Sequence, residues 1–254
     1  MLIRSVWTLS PVVTISLPRS YSLELVKNLH QRMGLTVGEE TISSVSYSGL
    51  LGAATYSSEA VTFYADTTYH LSLSGLQSST AKAIATLDLG DSLQFLGTTF
   101  QISDRIDETT SYEALYNTLV ASEPEPQRQF NLRFISPTAF AQSRTNLPLP
   151  VPTLMFRSWL ERWNEFAPIY LGGDELIGYL ADAIALNRHR LQTTSFHIHK
   201  GQVPGFQGSV TLRTLSRIDP LLANVANLLI HYSEFAATGI KTRLGMGQTI
   251  LMEK

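Results

Sequence analysis

Apolar and polar residues alternate over residues 5–17, Ser5-Val-Trp-Thr-Leu-Ser-Pro-Val-Val-Thr-Ile-Ser-Leu17. This period of two is that of a strand with one face in a core and one in water. The period then lengthens. Between Tyr21 and Met33, Leu25, Leu29 and Met33 recur at four-residue intervals, Ser22 is available as a cap and Gly34 as a stop, which predicts a helix. Strand-like runs follow over residues 41–47, 60–64 and 69–76, then a helix over 78–87 and a strand pair over 92–102. The order β-α-β-β-α-β is the ferredoxin-like arrangement, a strand–helix–strand unit used twice over one antiparallel sheet.

Acidic and proline residues at Glu123-Pro-Glu-Pro126 predict a linker, after which the order repeats. Residues 127–135 read as a strand, and residues 154–166 as a helix with Phe156, Leu160 and Trp163 on one face. Residues 174–187 read as an additional helix. Strands are predicted over 191–200 and 208–215, separated by a glycine- and proline-rich turn. An apolar helix with Pro220 in its first turn covers 220–232, and a last strand covers 248–252. The fold class expected is α+β with two tandem ferredoxin-like (RRM-like) domains, residues 1–122 and 127–254.

With 44% hydrophobic and 16% charged residues, the chain has the composition of a globular protein. No apolar run approaches the roughly 20 residues of a membrane helix, and the first ten residues lack the features of a secretory signal. The absence of cysteine excludes disulfides, thiolate metal sites and iron–sulfur clusters. A soluble cytoplasmic protein with no membrane partner is therefore expected.

The net charge of −2 hides a segregation. Residues 1–126 hold 6 Lys and Arg against 13 Asp and Glu, a balance of −7. Residues 127–254 hold 13 against 8, a balance of +5. A basic half points to a polyanionic partner, because affinity for phosphates follows the local field rather than the total. The densest cationic motif is Phe235-Ala-Ala-Thr-Gly-Ile-Lys-Thr-Arg-Leu-Gly-Met-Gly-Gln-Thr-Ile250, where Gly239, Gly245 and Gly247 are interleaved with Lys241 and Arg243. Glycines let main-chain N–H groups converge on a phosphate, and the cations add charge-assisted hydrogen bonds. The same pattern also fits a plain turn between strands. It is not a Walker loop, since no Gly-x-x-x-x-Gly-Lys-Ser/Thr occurs.

Four segments carry a family resemblance: Phe134-Ile-Ser-Pro-Thr-Ala-Phe140, Leu147-Pro-Leu-Pro-Val-Pro152 leading to Trp159 and Trp163, Gly205-Phe-Gln-Gly-Ser-Val210, and Gly239-Ile-Lys-Thr-Arg-Leu-Gly-Met-Gly247. In order and spacing the second half resembles the CRISPR-associated repeat-cleaving endoribonucleases, the Cas-six family of RAMP proteins. The first half resembles them more loosely, through Leu17-Pro-Arg-Ser-Tyr21, the helix ending near His30, and Val45-Ser-Tyr-Ser-Gly49. The family's loop commonly opens Gly-x-Gly, whereas here Ala237 and Thr238 precede Gly239. The resemblance implies two ferredoxin-like domains and cleavage of CRISPR repeat RNA with no metal or cofactor. Subunits of a CRISPR effector complex and a second copy of the chain are further candidate partners. A catalytically inactive RAMP subunit that binds guide RNA is the alternative, and a regulatory domain for a small phosphorylated metabolite is a third class.

Metal-independent RNA cleavage needs a base for the ribose 2′-OH, a stabiliser for the charged phosphate and an acid for the leaving oxygen. Histidine suits the first or last role, because both its protonation forms exist near neutrality. The resemblance singles out His30. Lys27, three positions earlier on the helix, is the candidate phosphate stabiliser, and Tyr47 and Tyr21 are candidates to orient or donate a proton. Candidate RNA contacts are Gly239, Lys241, Arg243, Gly245, Gly247, Arg157, Arg162, Arg188, Arg190, His199 and Lys200, since arginine's planar fork suits phosphates and stacked bases. His197 and His199 alternate about Ile198, but no third metal ligand accompanies them in the sequence.

Overall fold

The structure is a computed structural model and describes residues 1–35, 40–199, 201–215 and 218–252. Its elements run β1 (Leu2–Pro11), β2 (Ile15–Pro18), α1 (Tyr21–Met33), β3 (Val45–Leu51), β4 (Thr55–Tyr56), β5 (Ala60–Phe63), β6 (Tyr69–Gly75), α2 (Ser78–Ala85), β7 (Ser92–Phe95) and β8 (Thr98–Thr110). After the short helix α3 (Tyr112–Tyr116) come β9 (Gln129–Thr138), β10 (Phe140–Gln142), β11 (Thr145–Leu147), α4 (Pro152–Phe166), α5 (Asp174–Ala183), β12 (Ile184–Ile198), β13 (Gly201–Thr214), α6 (Pro220–Ala236) and β14 (Thr249–Met252).

Each half forms an antiparallel sheet of ferredoxin-like order. The first reads β3-β6-β1-β8-β7 and the second β12-β13-β9-β14, so in both the first strand lies between the third and the last. The alternation in β1 buries Ile3, Trp7 and Leu9 on one face. The strand stops at Pro11 and resumes as β2, which pairs with β5 in a separate small sheet, so residues 5–17 are two strands rather than the single one expected. Gly34 closes α1 in the left-handed conformation, φ 64°, as expected. The N-cap is Ser20 rather than Ser22.

Two expectations in the second half are corrected. The helix at 174 ends at Ala183, where Ile184 turns extended (φ −125°, ψ 119°) and opens β12. Residues 201–207 are not a turn. They are the first half of β13, a long strand paired with β12 from Gly201 to Thr214. Pro204 is tolerated there because β9 pairs with β13 only from Phe206 onward, which leaves β12 as the single partner strand at that point.

Helix α6 is buried nearly all round, from Ala223 to Ala236. A helix apolar on every side must be covered on every side. Its core-facing residues Leu228, Leu229 and Tyr232 join the β9, β13 and α4 side chains of the second domain. Its far end lies on the outer face of the first sheet, where Ser46 Oγ donates to the Phe235 carbonyl at 3.2 Å and Arg4 lies 4.0 Å from Glu234. Tyr112 of α3 packs edge-on against Trp163 with ring centroids 5.0 Å apart, and both belong to that core. The two sheets are therefore held by one shared apolar layer. Among the described residues no helix is long and apolar enough to cross a membrane.

Candidate functional site

His30 sits in the last turn of α1 on its inward side, with Leu25, Val26 and Leu29, and keeps only 7% of its surface exposed. Its Nδ1 lies 3.1 Å from the Val26 carbonyl oxygen and 2.9 Å from the Tyr47 hydroxyl. Both contacts fall on Nδ1 and fix the orientation of the ring. Burial is the main cause that pulls the His30 pKa below its ordinary 6.5, and the positive charge of Arg243 adds to it. The Val26 carbonyl and the Glu40 carboxylate oppose both. The ring is thus held neutral, ready to take a proton.

Tyr47 is itself buried, and burial pushes its hydroxyl well above the usual phenol range. Its hydroxyl stays protonated and is placed to hold the His30 ring. Tyr21 anchors the start of α1, its hydroxyl accepting from the Leu50 amide at 3.0 Å. Lys27 is not where the helix spacing placed it. It is exposed, and its ammonium is bound to Glu24 at 2.7 Å, one turn back on the outer face. The cation acting on the imidazole is Arg243, from the other domain.

Arg243 belongs to the glycine segment after α6. A 3-10 turn over Thr242–Leu244 brings this segment against β3 and α1, and Gln248 Nε2 donates to the Tyr47 carbonyl at 3.1 Å. The backbone there is left-handed at Gly239 (φ 80°), Lys241 (φ 54°), Gly245 (φ 118°) and Gly247 (φ 78°). A Cβ at Gly239 would overlap the Ala139 carbonyl oxygen, and one at Gly247 the Thr238 carbonyl oxygen. Both amides are already bonded inside the protein, Gly239 N to Ser158 Oγ at 2.8 Å and Gly247 N to the Pro137 carbonyl at 3.0 Å. The expectation that these two glycines offer N–H groups to a phosphate is corrected. They allow close backbone packing, which places Lys241 and Arg243 at the edge of a cleft.

That cleft has a volume of about 470 Å³ and is lined by Arg157, Arg162, Lys241 and Arg243 on its cationic side, with Glu40 and Glu161 as its acidic members. Arg162 braces the loop from within: Nη2 donates to the Gly239 carbonyl at 2.7 Å and Nη1 to Ser158 Oγ at 2.6 Å. Its guanidinium is largely committed to the fold rather than free for a groove. Arg157 is exposed and paired with Asp174 at 3.0 Å. Arg188 and Arg190 are exposed on β12, away from this cleft. At the far end of the β12–β13 hairpin, Phe196 packs beside Gly245. His197 has its pKa lowered, by burial first and then by the charge of Arg19, and its Nε2 is buried without a hydrogen-bond partner. His199 is exposed in the turn beyond the strand, so the two rings do not share a strand face, and Lys200 lies outside the described residues. Among the described residues no group of three His, Asp or Glu stands close enough to hold a metal.

The site therefore brings the turn that bears Arg243, which lines the cationic cleft, against the helix that bears the buried His30. The segment that supplies the guanidinium lies in residues 132–249, which match the family model described as CRISPR-associated endoribonuclease Cas6. The match spans most of the second domain, which is similar to the Cas6 family there. A Cas6 of Mycobacterium tuberculosis is 32% identical over 120 residues, 47% of this chain and 38% of that protein. A Cas6 of Streptococcus thermophilus is 26% identical over 136 residues, 53% of this chain and 55% of that protein. The chain thus matches about half or less of the length of these curated relatives. Among solved structures, a Cas6 product complex covers 100% of both chains with a TM-score of 0.74 at 20% identity. The Cas6 fold accordingly extends through the first domain, where sequence similarity is slight.

Proposed function

We propose that the chain is an endoribonuclease that binds CRISPR repeat RNA and cuts it without a metal ion. The observation that carries this reading is the packing of the glycine segment's Thr242–Leu244 turn, which bears Arg243, against α1 and β3, the elements that hold His30 and Tyr47. His30 Nε2 removes the proton of a ribose 2′-OH. The 2′-oxygen bonds to the adjacent phosphorus, the bond from phosphorus to the 5′-oxygen breaks, and the departing 5′-oxygen takes a proton from a general acid, for which no side chain is assigned. The products are a 2′,3′-cyclic phosphate and a free 5′-OH. Arg243 takes the stabilising role first sought at Lys27, because a guanidinium next to a phosphate that gains negative charge favours the transition state over the ground state. Lys241 and Arg157, at the rim of the cleft, are the contacts for the RNA backbone. The names of the relatives and the full-length likeness in fold support the same reading.

The test is the pH dependence of the single-turnover cleavage rate of labelled repeat RNA in the presence of a chelator. A histidine base must be neutral, so the rate is expected to fall on the acid side of pH 6.5 rather than at it. Arg243→Gln removes one of the causes that lower the His30 pKa, and is expected to move this limb up towards 6.5 and to reduce the plateau about 10²-fold. Repeat RNA left intact by the wild-type protein would favour the subunit that binds guide RNA without cutting it.

A further inference from the structure

The two sheets differ in what covers their outer faces. α6 packs on part of that of the first, whereas that of the second carries no helix. The strand registers place four arginines on this bare face. Arg190 of β12, Ser209 of β13 and Arg133 of β9 form one row across three strands. Arg188 stands beside Thr211 in the next row, and Arg213 opposite Gln129 in the row after. The intervening residues Phe130, Leu132, Val210 and Leu212 point into the core, which fixes the arginines outward. All four are exposed, and none forms an ion pair with a described carboxylate.

Arg188 and Arg190 are about 7 Å apart along β12, and Arg190 and Arg133 about 10 Å apart across two strand spacings. These rows hold no acidic and no aromatic side chain. Such a surface attracts a chain of phosphates, and it lacks the stacking platforms with which sheets grip bases. It shares the β12–β13 hairpin with a residue that touches the glycine segment. Arg188 and Arg190 stand at the base of the β12–β13 hairpin, whose far end brings Phe196 against Gly245 and His197 under the influence of Arg19.

We infer that the arginine face of the second sheet holds, through its phosphates and without reading bases, single-stranded RNA that runs on from the cleaved repeat. The inference rests on the endoribonuclease reading and adds a second surface to it. The test compares the affinities of wild-type protein and an Arg133→Gln/Arg213→Gln double variant for the repeat alone and for repeats extended at either end by a dozen unstructured nucleotides. Wild-type protein is expected to bind one of the extended RNAs about tenfold more tightly than the repeat alone. The double variant is expected to lose that preference, and its slope of log affinity against log salt on the extended RNA is expected to be shallower by about 1.4, two phosphate contacts at about 0.7 each. A wild-type protein that cuts the repeat but gains nothing from either extension would overturn this inference alone and leave the face to an acidic protein partner, as would a double variant that keeps the full preference. A wild-type protein that neither binds nor cuts the repeat would overturn the endoribonuclease reading itself.

Discussion

His30→Ala is expected to slow single-turnover cleavage of repeat RNA by about 10²–10⁴-fold, the usual contribution of a positioned base, while RNA affinity stays within about threefold. The two effects separate because the ring is buried and offers almost no surface for binding RNA. Removing a buried side chain that is bonded to Val26 and Tyr47 also leaves a cavity, so a loss of rate in the alanine variant alone does not isolate the chemistry. His30→Gln refills the space with an amide that has no basic nitrogen, and is expected to lose as much rate. If either variant cuts within about threefold of wild type under conditions where both bind, His30 is not the base.

Gly247→Ala is expected to have the largest effect on stability. The residue sits at φ 78°, its amide is bonded to Pro137, and an added methyl would occupy the space of the Thr238 carbonyl oxygen, itself part of the turn closed by Thr238 N and the Gly247 carbonyl at 2.8 Å. The methyl can be fitted only by opening that turn. A loss of roughly 2–4 kcal/mol, seen as a fall of about 5–15 °C in the thermal midpoint, is expected. Ala237 provides the opposite case. Its φ of 57° and ψ of −178° lie in a region that essentially only glycine occupies. Ala237→Gly is expected to raise stability by about 1 kcal/mol. A Gly247→Ala variant that melts with the wild type would show that the loop is not built as described.

The parts of this fold legible in the sequence are those where local pattern and tertiary contact agree. Helix α1 is found within its bounds because Leu25 and Leu29 face a core and Gly34 supplies the left-handed stop. The long β12–β13 hairpin was misread because Gly205 and Gly208 look like turn residues. In the structure they are places where backbones nearly touch, Gly205 against Thr138 and Gly208 against the Arg190 carbonyl. Nothing local marks the change from α5 to β12. The run Ile184-Ala-Leu-Asn continues a helical pattern, and pairing with β13 overrides it.

At the candidate site, the family resemblance pointed to His30 and the glycine-punctuated motif to Arg243. Their coupling was not legible, because it arises from the packing of a turn of one domain on a helix of the other. Lys27 was misassigned for a related reason. A spacing of three on a helix permits a shared face, but Glu24 lies one turn back at the same spacing and captures the ammonium on the solvent side. Arg133 and Arg213 gave no signal as isolated residues in strands, and become a group only once the register is known.

The central claim is that an imidazole, without a metal, activates the ribose 2′-OH next to the cut. It is tested most directly by replacing the 2′-OH with hydrogen at the single nucleotide 5′ of the cleavage point and measuring cleavage by wild-type protein in the presence of a chelator. The account predicts that the all-ribose RNA is cut once to leave a 2′,3′-cyclic phosphate, and that the substituted RNA binds equally well but stays whole. Cleavage of the substituted RNA at a comparable rate, or cleavage of the natural one only after a divalent metal is added, would contradict it.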